Sequence, residues 1–171
     1  MADFLPAYEQ TLGFEGGYKH TDIKHDRGSE TYAGLSRKAN PHWSGWRFLD
    51  AGSEPPAELV REAYRAGYWD TIRGDDIRDQ NIANNLYDFA VNAGVATAVR
   101  LAQGVVGTTQ DGKIGTKTLH ALNTFPSLIF VLMYYVARTK RYEQIVSKDR
   151  TQGKFLLGWL RRSLRILEAS K

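Results

Sequence analysis

Phe14-Glu15-Gly16-Gly17-Tyr18 follows directly on residues 3–13, where Phe4, Leu5, Ala7, Tyr8 and Leu12 recur at helical spacing and Gly13 weakens the end. The run therefore reads as a carboxylate leaving the end of an apolar helix at a pair of glycines. Gly16 and Gly17 permit a sharp turn and place no bulk beside Glu15. Taken alone, the same five residues also read as a surface glutamate before an ordinary glycine C-cap.

The next stretch sharpens the reading. Asp26-Arg27-Gly28-Ser29-Glu30-Thr31-Tyr32-Ala33-Gly34-Leu35 brings a second carboxylate and a hydroxyl eleven and sixteen positions after Glu15. A carboxyl donates a proton near neutral pH only when its pKa is raised, and burial against Phe14 and Tyr18 would raise it by disfavouring the charged form. An acid held in a poorly solvated place, opposite a second carboxylate, is what cleavage of a glycosidic bond requires. Asp26 is the candidate partner, positioning water or stabilising positive charge on the sugar, and Thr31 could hold the same water. Asp22 competes with Asp26, which also reads as a turn former or an ion-pair partner of Arg27. Glu30 reads as structural or substrate-contacting. Tyr18, Tyr32, Tyr68 and Trp69 are candidates to line a glycan cleft, since aromatic faces pack on sugar C–H faces; core packing is the favoured role for Tyr68 and Trp69.

The rest of the chain is helical in pattern. Residues 14–34 lack a sustained period and read as a long structured loop or short hairpin. One helical turn is expected over 36–40, and an irregular stretch with Trp43 and Trp46 over 41–56. Helices are expected from residue 56 or 57, over 81–104, from 116 to 122, over 127–147 and over 151–169. Gly94 marks a bend or a close helix contact. Thr116-Lys117-Thr118 reads as a helix cap. Leu128, Val131, Leu132, Tyr135, Val136 and Tyr142 are expected inward, as are Phe155, Leu156, Trp159, Leu160, Leu164 and Leu167. Asp88 and Asn92, at i and i+4, share one helix face and either meet a cleft or bond each other. The expected fold is all-α (mainly α), one compact helical unit with a long active-site loop or small hairpin near 14–35.

Composition narrows the classes. Hydrophobic residues make up 42% and charged residues 25%, which argues against disorder. Cysteine is absent, so thiolate catalysis and disulfides are excluded. His20, His25, His42 and His120 show no helical metal-ligand spacing, although His20 and His25 could share a loop with Asp22 and Asp26; no metal is expected, and glycosidic hydrolysis by carboxylates implies no cofactor. The net charge of +4 favours anionic partners, yet no nucleic-acid recognition motif accompanies it. The start shows no secretory signal pattern. Lys154, Arg161, Arg162 and Arg165 flank an apolar stripe that either docks into the core, the favoured reading, or touches an anionic outer-membrane surface.

These motifs resemble glycoside hydrolase family 108, the bacterial and phage N-acetylmuramidases, whose signature is a Glu-Gly-Gly-Tyr run followed by an Asp-x-Gly-Gly-x-Thr-x-x-Gly-Ile type segment. Ser29 and Leu35 depart from it without removing a chemical group. Tyr68-Trp69-Asp70 looks like the family's Tyr-Trp-Asp run. Gln103 to Gly107 and Asp111 to Leu119 resemble the predicted peptidoglycan domain that follows the family's catalytic segment, which implies a catalytic segment over 1–75 and a helical segment over 76–171 packed on it as one lysozyme-like unit. The resemblance implies a lysozyme cleaving the β-1,4 bond between N-acetylmuramic acid and N-acetylglucosamine, with Glu15 as general acid, Asp26 as second carboxylate and Thr31 as helper. Peptidoglycan strands would be the partner, and the chain a monomer. It would be made in the bacterial or host cytoplasm and act in the periplasm after release, through a holin in a phage endolysin, or in local wall opening for secretion. A lytic transglycosylase and a non-catalytic wall-binding module are the alternatives.

Overall fold

The computed structural model describes residues 1–14, 18–21 and 30–170. Among them the fold is mainly α, with eight α-helices and one small three-stranded sheet. They divide into two compact units, Tyr8–Gly67 and Met1–Ala7 with Tyr68–Lys171. The division falls inside the first helix, α1 (Phe4–Phe14), and again after Gly67. No single described helix is long and apolar enough to cross a membrane.

The Tyr8–Gly67 unit holds the sheet. Strands β1 (His20–Thr21), β2 (Thr31–Tyr32) and β3 (Leu35–Ser36) run antiparallel in that order, with Tyr32 opposite both His20 and Leu35. The sheet lies where the sequence led us to expect a loop or hairpin. Ala33 and Gly34 turn β2 into β3 with φ of 47° and 79°. Positive φ at both central residues matches the right-handed twist of a two-residue hairpin. Ala33 lacks glycine's freedom, but its N–H donates to the Lys19 carbonyl at 3.0 Å and its own carbonyl accepts the Tyr64 hydroxyl at 2.9 Å.

The stretch expected to be irregular contains a short helix, α2 (Trp46–Asp50), before α3 (Ala57–Tyr64). Two indoles organise it. Trp43 donates to the Leu59 carbonyl at 3.0 Å and Trp46 to the Asn40 carbonyl at 2.6 Å. Gly45 is required here, because a Cβ would run into the Trp43 ring. Tyr32 stacks on Trp43, centroids 6.1 Å apart, and Trp43 meets Trp46 edge-on at 4.9 Å.

The other unit is built on α4 (Gln80–Ala93), α5 (Val95–Val106), α6 (Thr116–Thr124), α7 (Ser127–Lys148) and α8 (Gly153–Glu168). Helix α7 packs on α4, α5 and α8. The Asp79 carboxylate caps α4 by accepting from the Ile82 N–H at 2.9 Å and also takes the Ser127 hydroxyl at 2.7 Å, tying the starts of α4 and α7. Phe89, Phe130 and Tyr134 form the aromatic centre; Phe130 stacks on Tyr134 at 5.2 Å.

Several expectations fail in this unit. The helix expected over 81–104 is two helices. Gly94 separates them at φ 86°, ψ 146°, a conformation closed to L side chains, and nothing lies within 4 Å of where its Cβ would be. It is a break rather than a close helix contact. Thr116 and Thr118 make no side-chain cap on α6; the cap position is Gly115, and the Thr118 hydroxyl accepts from Gln103.

The inward face of α7 was also misread. Phe130, Val131, Tyr134, Arg138 and Tyr142 are buried, whereas Leu128, Leu132 and Val136 are exposed. Residues 127–137 are apolar on both faces, so periodicity could not distinguish them. On α8, Ser163 and Ile166 are buried, while Phe155 and Leu164 are exposed. Trp159 is half-buried and stacks on Tyr142 at 5.2 Å. Arg162 is not a solvated cation: it pairs with Asp88.

Candidate active site

Helix α1 ends at Phe14, and the described chain resumes at Tyr18, extends to Thr21 and resumes again at Glu30. Glu15 and Asp26, the two catalytic candidates, lie outside the described residues, as does Asp22. What is described is the frame on either side of them.

Thr31 opens β2, half-buried, opposite Thr21 and Ser36. Its neighbour Glu30 is held from two sides. One carboxylate oxygen meets His20 Nε2 at 2.9 Å and the other meets Arg37 Nε at 2.7 Å. Arg37 reaches on to Asp50 at 2.6 Å and lies 4.8 Å over the Trp46 ring. The hydrogen bond to Asp50, with the Glu30 charge, holds the Arg37 guanidinium above its ordinary pKa. Glu30 is thus a brace at the start of β2, in line with its structural reading. Nothing in the local sequence pointed to Arg37 as its partner; the hairpin turn brings the two together.

The tyrosines divide by exposure. Tyr18 is 45% exposed, and its hydroxyl lies 3.2 Å from that of Tyr8 at the far end of the gap. Burial, followed by this hydrogen bond, pushes the Tyr8 phenol well above its usual range. Tyr32 is buried at 2% exposure, and burial likewise raises its pKa. Its ring supports the sheet by stacking on Trp43, so its packing differs from that of a cleft wall. Tyr68 is half-buried.

Trp69 and Asp88 lie in the interior. Trp69 is fully buried between Phe4 and Tyr87, with centroids 5.7 Å from each, and its indole N–H donates to Asp75 at 2.7 Å. The backbone of Gly74 lies so close to the indole that a Cβ there would collide with it. Asp88 is also fully buried and bonds Arg138 and Arg162, not Asn92. A side chain with no exposed surface cannot touch a glycan without local opening. Asn92 is half-buried on the same helix. Among the described residues, no group of three or more His, Asp or Glu side chains is placed to hold a metal ion.

Comparison with known proteins adds identity to this frame. Residues 8–94 match the family model described as glycosyl hydrolase 108, and residues 97–164 match the predicted peptidoglycan domain. The solved structure of Brucella abortus SagA is similar to this chain, with a TM-score of 0.78 and 28% identity, over 98% of this chain and 92% of that one. The comparison with curated proteins gives no match. The glycosidase model spans just over half of the chain, from within α1 through the sheet to the end of α4, which places this chain in glycosyl hydrolase family 108 as a glycoside hydrolase acting on peptidoglycan.

Proposed function

We propose that the protein is an N-acetylmuramidase that hydrolyses the β-1,4 bond between N-acetylmuramic acid and N-acetylglucosamine. The observation that carries this reading is the position of Glu15 in the sequence, next to Phe14 at the end of described α1, within the glycosidase match and beside a glycine pair. Glu15 donates its proton to the leaving glycosidic oxygen, and Asp26 activates the attacking water or stabilises the oxocarbenium-like charge on the sugar. Thr31, at the start of a braced strand, orders that water. Tyr18, exposed beside the same segment, is the aromatic face best suited to a sugar ring.

The test compares wild type with Glu15→Gln on purified peptidoglycan, reading released fragments by mass spectrometry. Fragments with reducing-end muramic acid from wild type alone support a Glu15-dependent hydrolase. Anhydro sugar ends would instead make the protein a lytic transglycosylase. Retained binding without fragments from wild type would make it a wall-binding module.

A further inference from the structure

A groove of about 540 Å³ runs between α5 and α7, within the size range of small-ligand sites. Leu101 and Val105 of α5 face Leu132, Met133 and Val136 of α7 across it. It exists because α7 is apolar on both sides: Phe130, Val131 and Tyr134 fill the core, which leaves Leu132, Met133 and Val136 45–49% exposed. A helix apolar all round calls for a second covering surface. Gly104 makes room in the α5 wall; a Cβ there would press within 3.1 Å of the Gln110 side-chain amide.

The groove's polar groups have one sign. Lys140 and Arg141 lie at its end, with Gln144 one turn further and Gln110 across from them. Among the described residues, neither cation forms an ion pair. Glu143, close by on α7, engages the Ser147 hydroxyl at 2.7 Å and does not line the groove. None of the eleven lining residues carries a carboxylate or an aromatic ring.

We propose that this groove binds the stem peptide of peptidoglycan rather than its glycan; the proposal rests on the reading that the chain acts on peptidoglycan. Sugar sites draw on aromatic faces, which the groove lacks. The stem peptide offers alanine methyl groups to the apolar walls, free carboxylates to Lys140 and Arg141, and peptide groups to the two amides. All the lining residues fall within the predicted peptidoglycan domain, residues 97–164. An anionic lipid shares the apolar body and the acidic head, but has no use for the amides.

The test is calorimetric titration of the full chain with three probes: the free diaminopimelate-containing tetrapeptide, a peptide-free N-acetylglucosamine–N-acetylmuramic acid disaccharide, and phosphatidylglycerol vesicles. Wild type binds the tetrapeptide, and Lys140→Glu/Arg141→Glu weakens that binding at least about tenfold with an unchanged melt, while Lys140→Arg keeps most of it. Met133→Glu, at an exposed position on the groove wall, weakens it as well and covers the case in which the double reversal does not fold. No tetrapeptide binding by wild type up to about millimolar, or equal binding by both groove variants, overturns the proposal. So does vesicle binding that depends on the same residues while the peptide is ignored. Fragment release from peptidoglycan by wild type, assayed in parallel, separates the two claims: groove-dependent peptide binding without fragments would remove the muramidase reading alone.

Discussion

Asp88 and Arg138 form an ion pair at 2.9 Å with 0% and 1% of their side chains exposed, and Arg162 completes it at 2.8 Å from the other carboxylate oxygen. Arg138 also lies 4.6 Å over the Phe89 ring. The three charged residues come from α4, α7 and α8, so one carboxylate ties three helices. Removing one partner of a buried pair strands the others' charge, at a cost of about 3–5 kcal/mol. Asp88→Ala is therefore expected to lower the melting temperature sharply. Asp88→Asn with an unchanged melt and lost glycan cleavage would return Asp88 to the substrate site.

Trp69 leads to a second expectation. Its indole fills the space between Phe4 and Tyr87, and Gly74 packs flat against it. Gly74→Ala forces a methyl into that ring and should cost about 1–3 kcal/mol. Trp69→Ala opens a cavity and should cost about 3–5 kcal/mol. Denaturant titration checks both. A Trp69→Ala protein with normal stability but weak substrate binding would contradict the core assignment.

Much of this was open to reading in sequence, and the exceptions share a cause. The amphipathic start of α3 is a local signal that survives without tertiary context; the Asp79 cap before α4 was equally local and went unread. The ion pair between residues fifty positions apart does not. Arg138 falls at the i+4 spacing of Phe130, Tyr134 and Tyr142. That stripe, together with Asp88 on an apolar helix face, was the available sign of a buried pair. The opposite stripe through Leu128, Leu132 and Val136 was equally apolar and concealed it. Glu15-Gly16-Gly17 reads as chemistry through its residue types alone and lies outside the described residues, whereas the brace on Glu30 depends on a hairpin turn that sets Arg37 beside it.

Gly94 tests the break between α4 and α5. Nothing crowds its missing Cβ, so any cost of substitution is conformational. Gly94→Ala should destabilise by about 1–3 kcal/mol. A stabilised variant would mean that the two helices can run as one.

The loop before α6 should show acid sensitivity. The Gln103 side chain is buried, donates to Asp111 at 2.8 Å and to the Lys113 carbonyl at 3.0 Å, and accepts the Gly112 N–H at 2.9 Å. The Gln103 hydrogen bond, then the Lys113 N–H, hold the Asp111 carboxyl below its ordinary pKa. A depressed folded-state pKa gives stability that is complete above the unfolded value, near 3.9, and is lost as pH falls through the folded value. The stability difference between wild type and Asp111→Asn should thus be constant at neutral pH and begin to shrink only as pH falls below about 4, towards the lower folded value. Gln103→Ala, which strands the Gly112 N–H, should cost about 1–3 kcal/mol at neutral pH. A difference that grew on acidification would reverse the sign of the argument.

The central claim is that Glu15 is the general acid of a muramidase. Fragment release from purified peptidoglycan, followed by mass spectrometry for wild type and Glu15→Gln at matched folded concentration, tests it most directly. Loss of a general acid costs about 10²–10⁴ in rate. The account predicts reducing-end muramic acid from wild type and a drop of that size in the variant, with an unchanged melt. Near-full release by a normally folded Glu15→Gln protein would contradict it.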